Sequence, residues 1–326
     1  MSDDAVRLEL SAAPHLKAPD STPRIMWTVV ATLMPVVAAA GHLFGPRALA
    51  VIAAAVVGAV LTERLFGPGG ALRDGSAAIT GILLGLTLPA NFPFWMAAVG
   101  GAFGIGFGKV IFGGLGQNIF NPALLGRAFL QAAFPVAITT WPSLRGVDVV
   151  TSATPLGLMK FEGQTTELMP LMIGNTAGSL GETTGLLILL GGGYLAWKRY
   201  LNWRIPTAIF ATVAVLAGIL HTADPVRYPG PLFMLFAGGL MLGAVYMATD
   251  MVTSPVTNSG AWIFGAGIGA IVVLVRSWGG LPEGVMYAIL LMNALVPFIN
   301  QATRPRVFGT PARRLQLPRL GKEVAS

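Results

Sequence analysis

The sequence predicts an all-α membrane protein with many spanning segments. Only 11% of its 326 residues are charged and 54% are hydrophobic, whereas a soluble domain usually carries about 25% charged residues. The hydrophobic residues form long continuous runs, and a helix needs roughly 20 residues to cross the bilayer. A transmembrane β-barrel would instead show alternating strands of about ten residues each.

About ten hydrophobic segments follow one another along the chain, and the third is too short to span and ends in a proline. The motif Gly104-Ile105-Gly106 recurs half a chain later as Gly267-Ile268-Gly269, which predicts two related repeats. Five segments per repeat is an odd number, so the repeats are expected to be inverted in the membrane. The segments are Ile25–Phe44, Ala48–Leu65, Ala77–Pro89, Phe94–Phe112, Ile119–Ile138, Thr184–Trp197, Ile205–His221, Leu232–Thr249, Ala261–Trp278 and Gly284–Thr303.

The basic residues set the predicted orientation. With a cytoplasmic N-terminus, most Lys and Arg residues fall on the cytoplasmic side, as membrane topology requires. The predicted layout is a cytoplasmic N-terminal segment at 1–24, a first repeat at 25–138, a periplasmic loop at 139–183, a second repeat at 184–303 and a basic cytoplasmic tail at 304–326. This placement explains the net charge of +7 by contact with lipid and gives no reason to expect nucleic acid.

The composition excludes several kinds of redox centre. The chain has no cysteine, which excludes disulfides, iron–sulfur ligation and thiolate metal sites on this chain. Its three histidines, His15, His42 and His221, are far apart, and we expect interfacial or capping roles for them rather than a metal site. Any redox carrier held by this chain is therefore expected to be organic.

Polar residues beside the irregular segments predict a ligand or ion site within the membrane. Asp74 precedes the short third segment, and Asp250 follows the eighth; both form a predicted ion path. Asn118 and Asn121 open the fifth segment, and Arg127 lies about one turn into it, where a charge usually pairs or binds something. A second interpretation stays open, in which the aspartates are ordinary interfacial caps and Asn121-Pro122 is only a helix start.

One polar loop, Asp148–Leu156, is predicted to carry the chemistry. In Asp148-x-x-Thr151-Ser152-Ala153-Thr154, the small neighbours leave room for a bulky donor to approach the Thr154 hydroxyl. Pro155 keeps the chain extended around that residue, and Asp148 is available to bind a transferase or a cation. Without any family resemblance, an ordinary solvated loop explains the same residues.

The loop resembles the motif at which flavin transferases attach FMN to a threonine, Asp-x-x-Ser/Thr-Gly-Ala-Thr, with Ser152 at the glycine position. The stretches Ser11–Met26, Gly113–Pro122, Ser152–Leu156 and Ala248–Asn258 resemble the RnfD subunit of the Rnf electron-transport complex, and more distantly NqrB. The resemblance covers nearly the whole chain.

The resemblance implies a urea-transporter-like fold and a membrane subunit of an ion-translocating ferredoxin:NAD+ oxidoreductase in the bacterial inner membrane. It implies FMN bound to Thr154 through a phosphodiester on the periplasmic side, and a flavin transferase that attaches it. Asp148, Thr151, Ser152, Ala153 and Pro155 surround that site. Electrons would be exchanged with a partner flavin subunit of the complex, coupled to Na+ or H+ movement.

The same resemblance implies a second, non-covalent riboflavin, for which the region of Asn118 and Asn121 is the expected site. The chain is not expected to bind ferredoxin or NAD itself, because Gly101–Gly108 lies inside a hydrophobic span, where glycines serve close helix packing. Two other functions stay open: a passive permease of small polar solutes without redox activity, and a purely structural assembly subunit. The loop at Thr154 distinguishes them, because fold does not decide function.

Overall fold

The computed structural model describes residues 20–67, 71–142, 153–174, 176–182 and 185–305, and within these ranges every regular element is a helix. The predicted site residues Asp148, Thr151 and Ser152 lie outside the described residues. The helices are α1 (Thr22–Phe44), α2 (Pro46–Phe66), α3 (Ser76–Leu86), α4 (Phe94–Ile105), α5 (Pro122–Ala133), α6 (Pro135–Thr139), α7 (Pro155–Gly157), α8 (Leu168–Ile173), α9 (Gly185–Trp197), α10 (Arg204–Ala223), α11 (Pro231–Phe236), α12 (Leu240–Leu242), α13 (Asn258–Trp278) and α14 (Val285–Ala302).

Several of these helices continue into other helical turns. A short 3₁₀ turn, Ala71–Asp74, precedes α3. Wider π-helical turns extend three other helices: Gly106–Val110 follows α4, Leu158–Glu162 follows α7, and Gly243–Met247 follows α12. Such turns often occur at functional sites, so the residues in these three turns are candidates for functional roles.

Five helices in the described ranges, α1, α2, α10, α13 and α14, are long and apolar enough to cross a membrane. The predicted multi-pass helical membrane protein is therefore confirmed. The remaining predicted segments are shorter or interrupted. Apolar helices of intermediate length occupy Ser76–Leu86, Phe94–Val110 and Gly185–Trp197.

The predicted segment Leu232–Thr249 is broken at Ala237–Gly239, between α11 and α12. Gly238 causes the break, because its φ of +71° belongs to the left-handed region that favours glycine. A Cβ at this position would also lie 2.5 Å from Leu156 Cδ1 and 3.0 Å from Arg276 Nη2. The hydropathy of the segment gave no sign of this break, because the residues on both sides of it are apolar.

The start of the fifth segment follows from its Asn-Pro pair. The helix begins at Pro122 rather than at Ile119, and the Asn121 side chain accepts hydrogen bonds from the backbone N–H groups of Ala123 (3.0 Å) and Leu124 (3.3 Å). The predicted N-cap is confirmed. Ile119 and Phe120 precede the cap. Because both are hydrophobic, the predicted segment began too early in the sequence.

Glycines let the long helices approach closely. A Cβ on Gly58 of α2 would lie 2.0 Å from the carbonyl oxygen of Ala98, and one on Gly101 of α4 would lie 2.2 Å from that of Ala55. The same occurs between α10 and α13, where a Cβ on Gly265 would lie 2.6 Å from the Ile205 carbonyl oxygen. Small residues at such contacts are typical of helix packing in lipid, and the predicted packing role of Gly101–Gly108 is confirmed.

Candidate functional site

A cavity of about 360 Å³ lies where three breaks in the helices meet. Thr87 lines it just after α3, Gly238 and Gly239 line it between α11 and α12, and Glu283 lines it just before α14. Backbone at a helix break has free hydrogen-bonding groups, which are tolerated at membrane depth only beside protein or a cavity. We call this space the first cavity. Its other lining residues include Leu124, Arg127, Ile138, Trp141, Thr154, Phe161, Glu182, Met286 and Tyr287.

Thr154 lies at the wall of the first cavity and is the N-cap of the helical stretch that begins at Pro155. Its Oγ1 accepts a hydrogen bond from the backbone N–H of Gly157 at 3.1 Å. The neighbouring Leu156 is buried against Phe233 and Ala237 of the α11 end, which fixes the backbone beside the threonine. Ala153 also lines the cavity and is exposed, so the approach to Thr154 is lined by a small side chain.

An ion pair joins the two halves of the chain beside this cavity. Arg127 Nη2 lies 3.1 Å from Glu283 Oε2, and the two side chains are only 10% and 22% exposed. Arg127 also donates to the carbonyl oxygen of Thr87, while Glu283 accepts a hydrogen bond from the Gly239 N–H at 2.5 Å. The pair therefore satisfies backbone groups at two of the three breaks, and its glutamate belongs to the third.

Two further charged residues lie close to this ion pair. Arg276 is 1% exposed and donates to the carbonyl oxygens of Met234 (2.5 Å) and Ala237 (2.8 Å). Glu182, in the chain between α8 and α9, lines the cavity. Burial, and then the negative charge of Glu283, raise the pKa of the Glu182 carboxyl to about 7.

Lys160 connects the Thr154 stretch to the segment that carries Glu283. Its Nζ donates to three backbone carbonyl oxygens, those of Val275 (3.0 Å), Arg276 (3.2 Å) and Leu281 (2.7 Å). The first two belong to the last turn of α13, where a cation also interacts favourably with the helix dipole. Lys160 thereby fixes the Thr154 stretch to the chain that leads from the end of α13 to Glu283.

A second, smaller cavity of about 100 Å³ contains the other predicted polar residues. Asn118, Asn121 and Asp250 all line it. Asp250 accepts from Thr253 Oγ1 at 3.2 Å and from Asn118 Nδ2 at 3.5 Å, and Asn121 Nδ2 donates to the carbonyl oxygen of Met247 at 3.1 Å. The structure thus brings together Asn118, Asn121 and Asp250, which are far apart in sequence.

Asp74 does not line the second cavity, although its partners Ser76 and Lys109 do. Its carboxylate accepts from the Ser76 N–H (2.8 Å) and hydroxyl (2.6 Å) and lies 3.6 Å from Lys109 Nζ. Lys109 also contacts Glu63 and the Ser76 hydroxyl, and both Lys109 and Glu63 are 2% exposed. Asp74 accepts from the first N–H of α3, whose N-cap residue is Gly75, and is also part of a buried ion cluster.

The two cavities lie along the same helix. Pro122 and Ala123 of α5 line the second cavity, whereas Leu124 and Arg127 line the first. The turn that follows α12 contributes in the same way, with Val245 and Tyr246 facing the second cavity and Met247 facing the first. In each element, adjacent residues therefore line the two different spaces.

Sequence reasoning missed five charged residues of these sites: Glu63, Lys109, Glu182, Arg276 and Glu283. Glu63 and Lys109 lie within predicted hydrophobic segments, where a charged residue usually pairs or has a function. Arg127 was selected on that ground, and it does pair. Glu182 and Glu283 lie just outside predicted segments, where acidic residues attract no notice until the chain is folded.

The comparisons with known proteins identify the family. The model of the NQR2, RnfD, RnfE family matches residues 9–309. The D subunit of the proton-translocating ferredoxin:NAD(+) oxidoreductase complex of Clostridium ljungdahlii is 44% identical over 92% of this chain and 96% of that protein. The Na(+)-translocating counterpart of Acetobacterium woodii is 42% identical over 93% and 96%, and the D subunit of the ion-translocating oxidoreductase complex of Stutzerimonas stutzeri is 43% identical over 90% and 94%. The chain belongs to the NQR2, RnfD and RnfE family.

Proposed function

We propose that this chain is the D subunit of an ion-translocating ferredoxin:NAD+ oxidoreductase (Rnf) complex and carries electrons on FMN attached to Thr154. The relatives named above are subunits of such complexes. The observation that carries the flavin proposal is the position of Thr154 at the wall of the first cavity, which Arg127, Glu182 and Glu283 also line.

The first cavity fits a flavin in size and in chemistry. Pockets that hold small molecules and cofactors usually measure about 300–1,000 Å³, and this one measures about 360 Å³. Trp141, Phe161 and Tyr287 supply aromatic surface for a planar ring. Arg127 and Arg276 bring two guanidinium groups near a space that would receive a phosphodiester, for which such groups are good hydrogen-bond donors.

The chain's own residues hold and orient the cofactor, and the flavin supplies the redox chemistry. The Thr154 oxygen forms the tether, and the buried Leu156 keeps that oxygen in place. The Arg127–Glu283 ion pair holds the cavity wall. The pair as a whole is neutral, but its arginine places a guanidinium group at the wall. Electrons come from a partner flavin subunit of the complex, and a flavin transferase attaches the cofactor during maturation.

The second cavity supports the proposed ion path better than a riboflavin site. Asp250, Asn118 and Asn121 offer oxygen atoms in a space of about 100 Å³, which is below the range of small-molecule pockets but has room for an ion or a few waters, at about 30 Å³ per water. The residues present do not fit riboflavin in this conformation. We propose Na+ or H+ passage along Asp74 and Asp250.

We also propose the urea-transporter-like architecture of two inverted five-segment repeats. Gly75 precedes α3, and Gly238 lies at the break before α12; they are 163 residues apart, and both have left-handed φ values (+78° and +71°). A buried cation contacts the chain beside each glycine: Lys109 contacts Asp74 and Ser76, and Arg276 contacts Met234 and Ala237. Equivalent contacts in both halves are what a repeat predicts.

The proposed orientation places the first cavity on the periplasmic side and both termini in the cytoplasm. The second cavity is lined by Leu195, Tyr200 and Leu201, which lie beside the basic stretch Lys198–Arg204. Basic loops favour the cytoplasmic side. The first cavity lies toward the opposite end of α5 and so faces the periplasm in this orientation.

The proposed function is tested in inverted membrane vesicles that contain the complete complex. With reduced ferredoxin and NAD+, we expect NADH formation with uptake of Na+ or H+, and loss of both when this subunit carries Thr154→Val. The rival permease predicts that the isolated chain in liposomes conducts a small polar solute, and that Thr154→Val leaves NADH formation unchanged. That second pair of results would contradict the electron-transfer proposal.

A Gly157→Ala chain is expected to lose flavin attachment without losing stability. A Cβ at Gly157 would lie 3.2 Å from Thr154 Oγ1 and would crowd the oxygen that must react. Gly157 has helical φ and ψ values (−66° and −47°), and alanine favours helix by about 1 kcal/mol over glycine. In-gel flavin fluorescence and the melting temperature in detergent measure the two effects.

Gly193→Ala is the matched control, because a Cβ at that helical glycine meets no atom within 4 Å. Its attached flavin should equal that of the wild type. Full fluorescence in Gly157→Ala, with melting unchanged, would show that the space around the Thr154 oxygen does not limit attachment.

A further inference from the structure

We infer that Glu182 is the proton-accepting residue of the first cavity, which takes up one proton when the cofactor there gains one electron. This inference rests on the proposed function, because it needs a redox cofactor at Thr154. It assigns the local charge compensation for electron arrival to a named side chain of this chain.

The charges around Glu182 are already committed to other partners. From α5, Arg127 pairs with Glu283 at 3.1 Å, and from α13, Arg276 donates to two backbone carbonyl oxygens. None of the ion pairs formed by the described residues includes Glu182. Its hydrogen bonds go to Ser179. Glu182 is therefore the acid in this group whose protonation breaks no ion pair.

Glu182 and Glu283 face the same glycine across the cavity wall. Glu283 Oε1 lies 2.7 Å from the position that a Cβ on Gly239 would take, and Glu182 Oε1 lies 3.9 Å from it. Two carboxylates held this close in a partly buried site resist simultaneous ionisation. Because Glu283 already pairs with Arg127 and accepts from the Gly239 N–H, Glu182 is the member whose carboxylate is left to bind a proton.

The charge balance gives the direction of the effect. Arg127, Arg276 and Glu283 together carry one net positive charge, so the group is neutral when Glu182 is ionised. An electron passes from the reduced flavin of a partner subunit, which is oxidised, and adds one negative charge to the first cavity. That charge raises the proton affinity of Glu182, and one proton passes from solvent to its carboxylate. The net charge of the cavity is then unchanged.

The other titratable groups near the cavity do not serve as the proton acceptor in place of Glu182. Glu162 and Lys160 come from the Thr154 stretch; Glu162 is exposed, and Lys160 is held by three carbonyl oxygens. Tyr287 of α14 is 40% exposed. Solvent screens the charge of an exposed group. Protonation of such a group therefore offsets little of the charge that an electron adds to the cavity. Glu182 thus combines partial burial, a place on the cavity wall and the absence of an ion pair among the described residues.

The test compares the redox potential of the flavin-loaded full chain between pH 6 and pH 9 in the wild type and in Glu182→Gln. Below pH 7 Glu182 is protonated in both redox states, so the two potentials should respond to pH alike. Above pH 7 the wild type takes up an extra proton on reduction. Its potential should fall relative to the variant by as much as about 59 mV per pH unit, the one-electron equivalent of a tenfold change in proton concentration.

Glu162→Gln is the matched control, since it removes a carboxylate of the same cavity that is exposed; its potential should stay parallel to that of the wild type. A second readout is the reduced-minus-oxidised infrared difference spectrum at pH 8. A protonated carboxyl band should appear on reduction in the wild type and be absent in Glu182→Gln.

In-gel flavin fluorescence comes first, because it separates the two ways to fail. A dark wild-type band would contradict the proposed function, and this inference with it. Fluorescent bands with parallel potentials and no carboxyl band would leave the proposed function standing and overturn the role of Glu182 alone.

Discussion

The Thr154→Val chain is expected to carry no covalent flavin, whereas the wild-type chain made beside an active flavin transferase is fluorescent after denaturation. Valine keeps the branched shape of threonine and removes the oxygen that the phosphodiester requires. The same change removes the cap on the Gly157 N–H, which costs about 1 kcal/mol. The chain should therefore stay folded, with a slightly lower melting temperature.

Thr139→Val is the matched control for this loss. Thr139 lines the same cavity, and its hydroxyl donates to the carbonyl oxygen of Pro135 in its own helix. Attached flavin should be unchanged in this variant. Equal fluorescence in the wild type and Thr154→Val would place the flavin on another residue and contradict the assignment.

Lys109→Met is expected to cause the largest loss of stability. It leaves the Glu63 carboxylate, 2% exposed, and the partly buried Asp74 without their cation. Removing one partner of a buried ion pair typically costs about 3–5 kcal/mol. The melting temperature in detergent should fall by several degrees, and the yield of the assembled complex should fall with it.

The double variant Lys109→Met/Glu63→Gln tests the cause. Removing both charges should restore part of the lost stability, because the buried carboxylate no longer lacks a partner. Lys198→Met is the control, since Lys198 is exposed and lies over the Trp197 ring at the end of α9. An unchanged melting temperature in Lys109→Met would mean that this buried cluster does not stabilise the protein.

The sequence predicted the class of fold because hydrophobic runs and charge deficits are visible one residue at a time. The long helices α1, α2, α10, α13 and α14 each match a predicted segment. The helix start at Asn121-Pro122 was equally readable, because a cap is a local feature. The break at Gly238 was not, since the hydrogen bonds that Arg276 donates to the carbonyl oxygens of Met234 and Ala237 beside it exist only in the fold.

Some features of the candidate site were likewise predictable from the sequence, and others were not. Thr154 was predicted from a short motif, and its position at a cavity wall could not be. The partner of Arg127 is 156 residues away in sequence, so no local pattern could name Glu283. Glu182 and Glu283 gain their chemistry from burial and from each other, and both effects appear only when distant segments meet.

The most direct test of the central claim is the mass of the peptide that contains Thr154, cut from the wild-type chain after expression beside an active flavin transferase. The proposed function predicts a peptide heavier by FMN less one water, with the modification on the Thr154 oxygen. An unmodified Thr154 peptide, with the transferase shown to modify another substrate in the same cells, would contradict it.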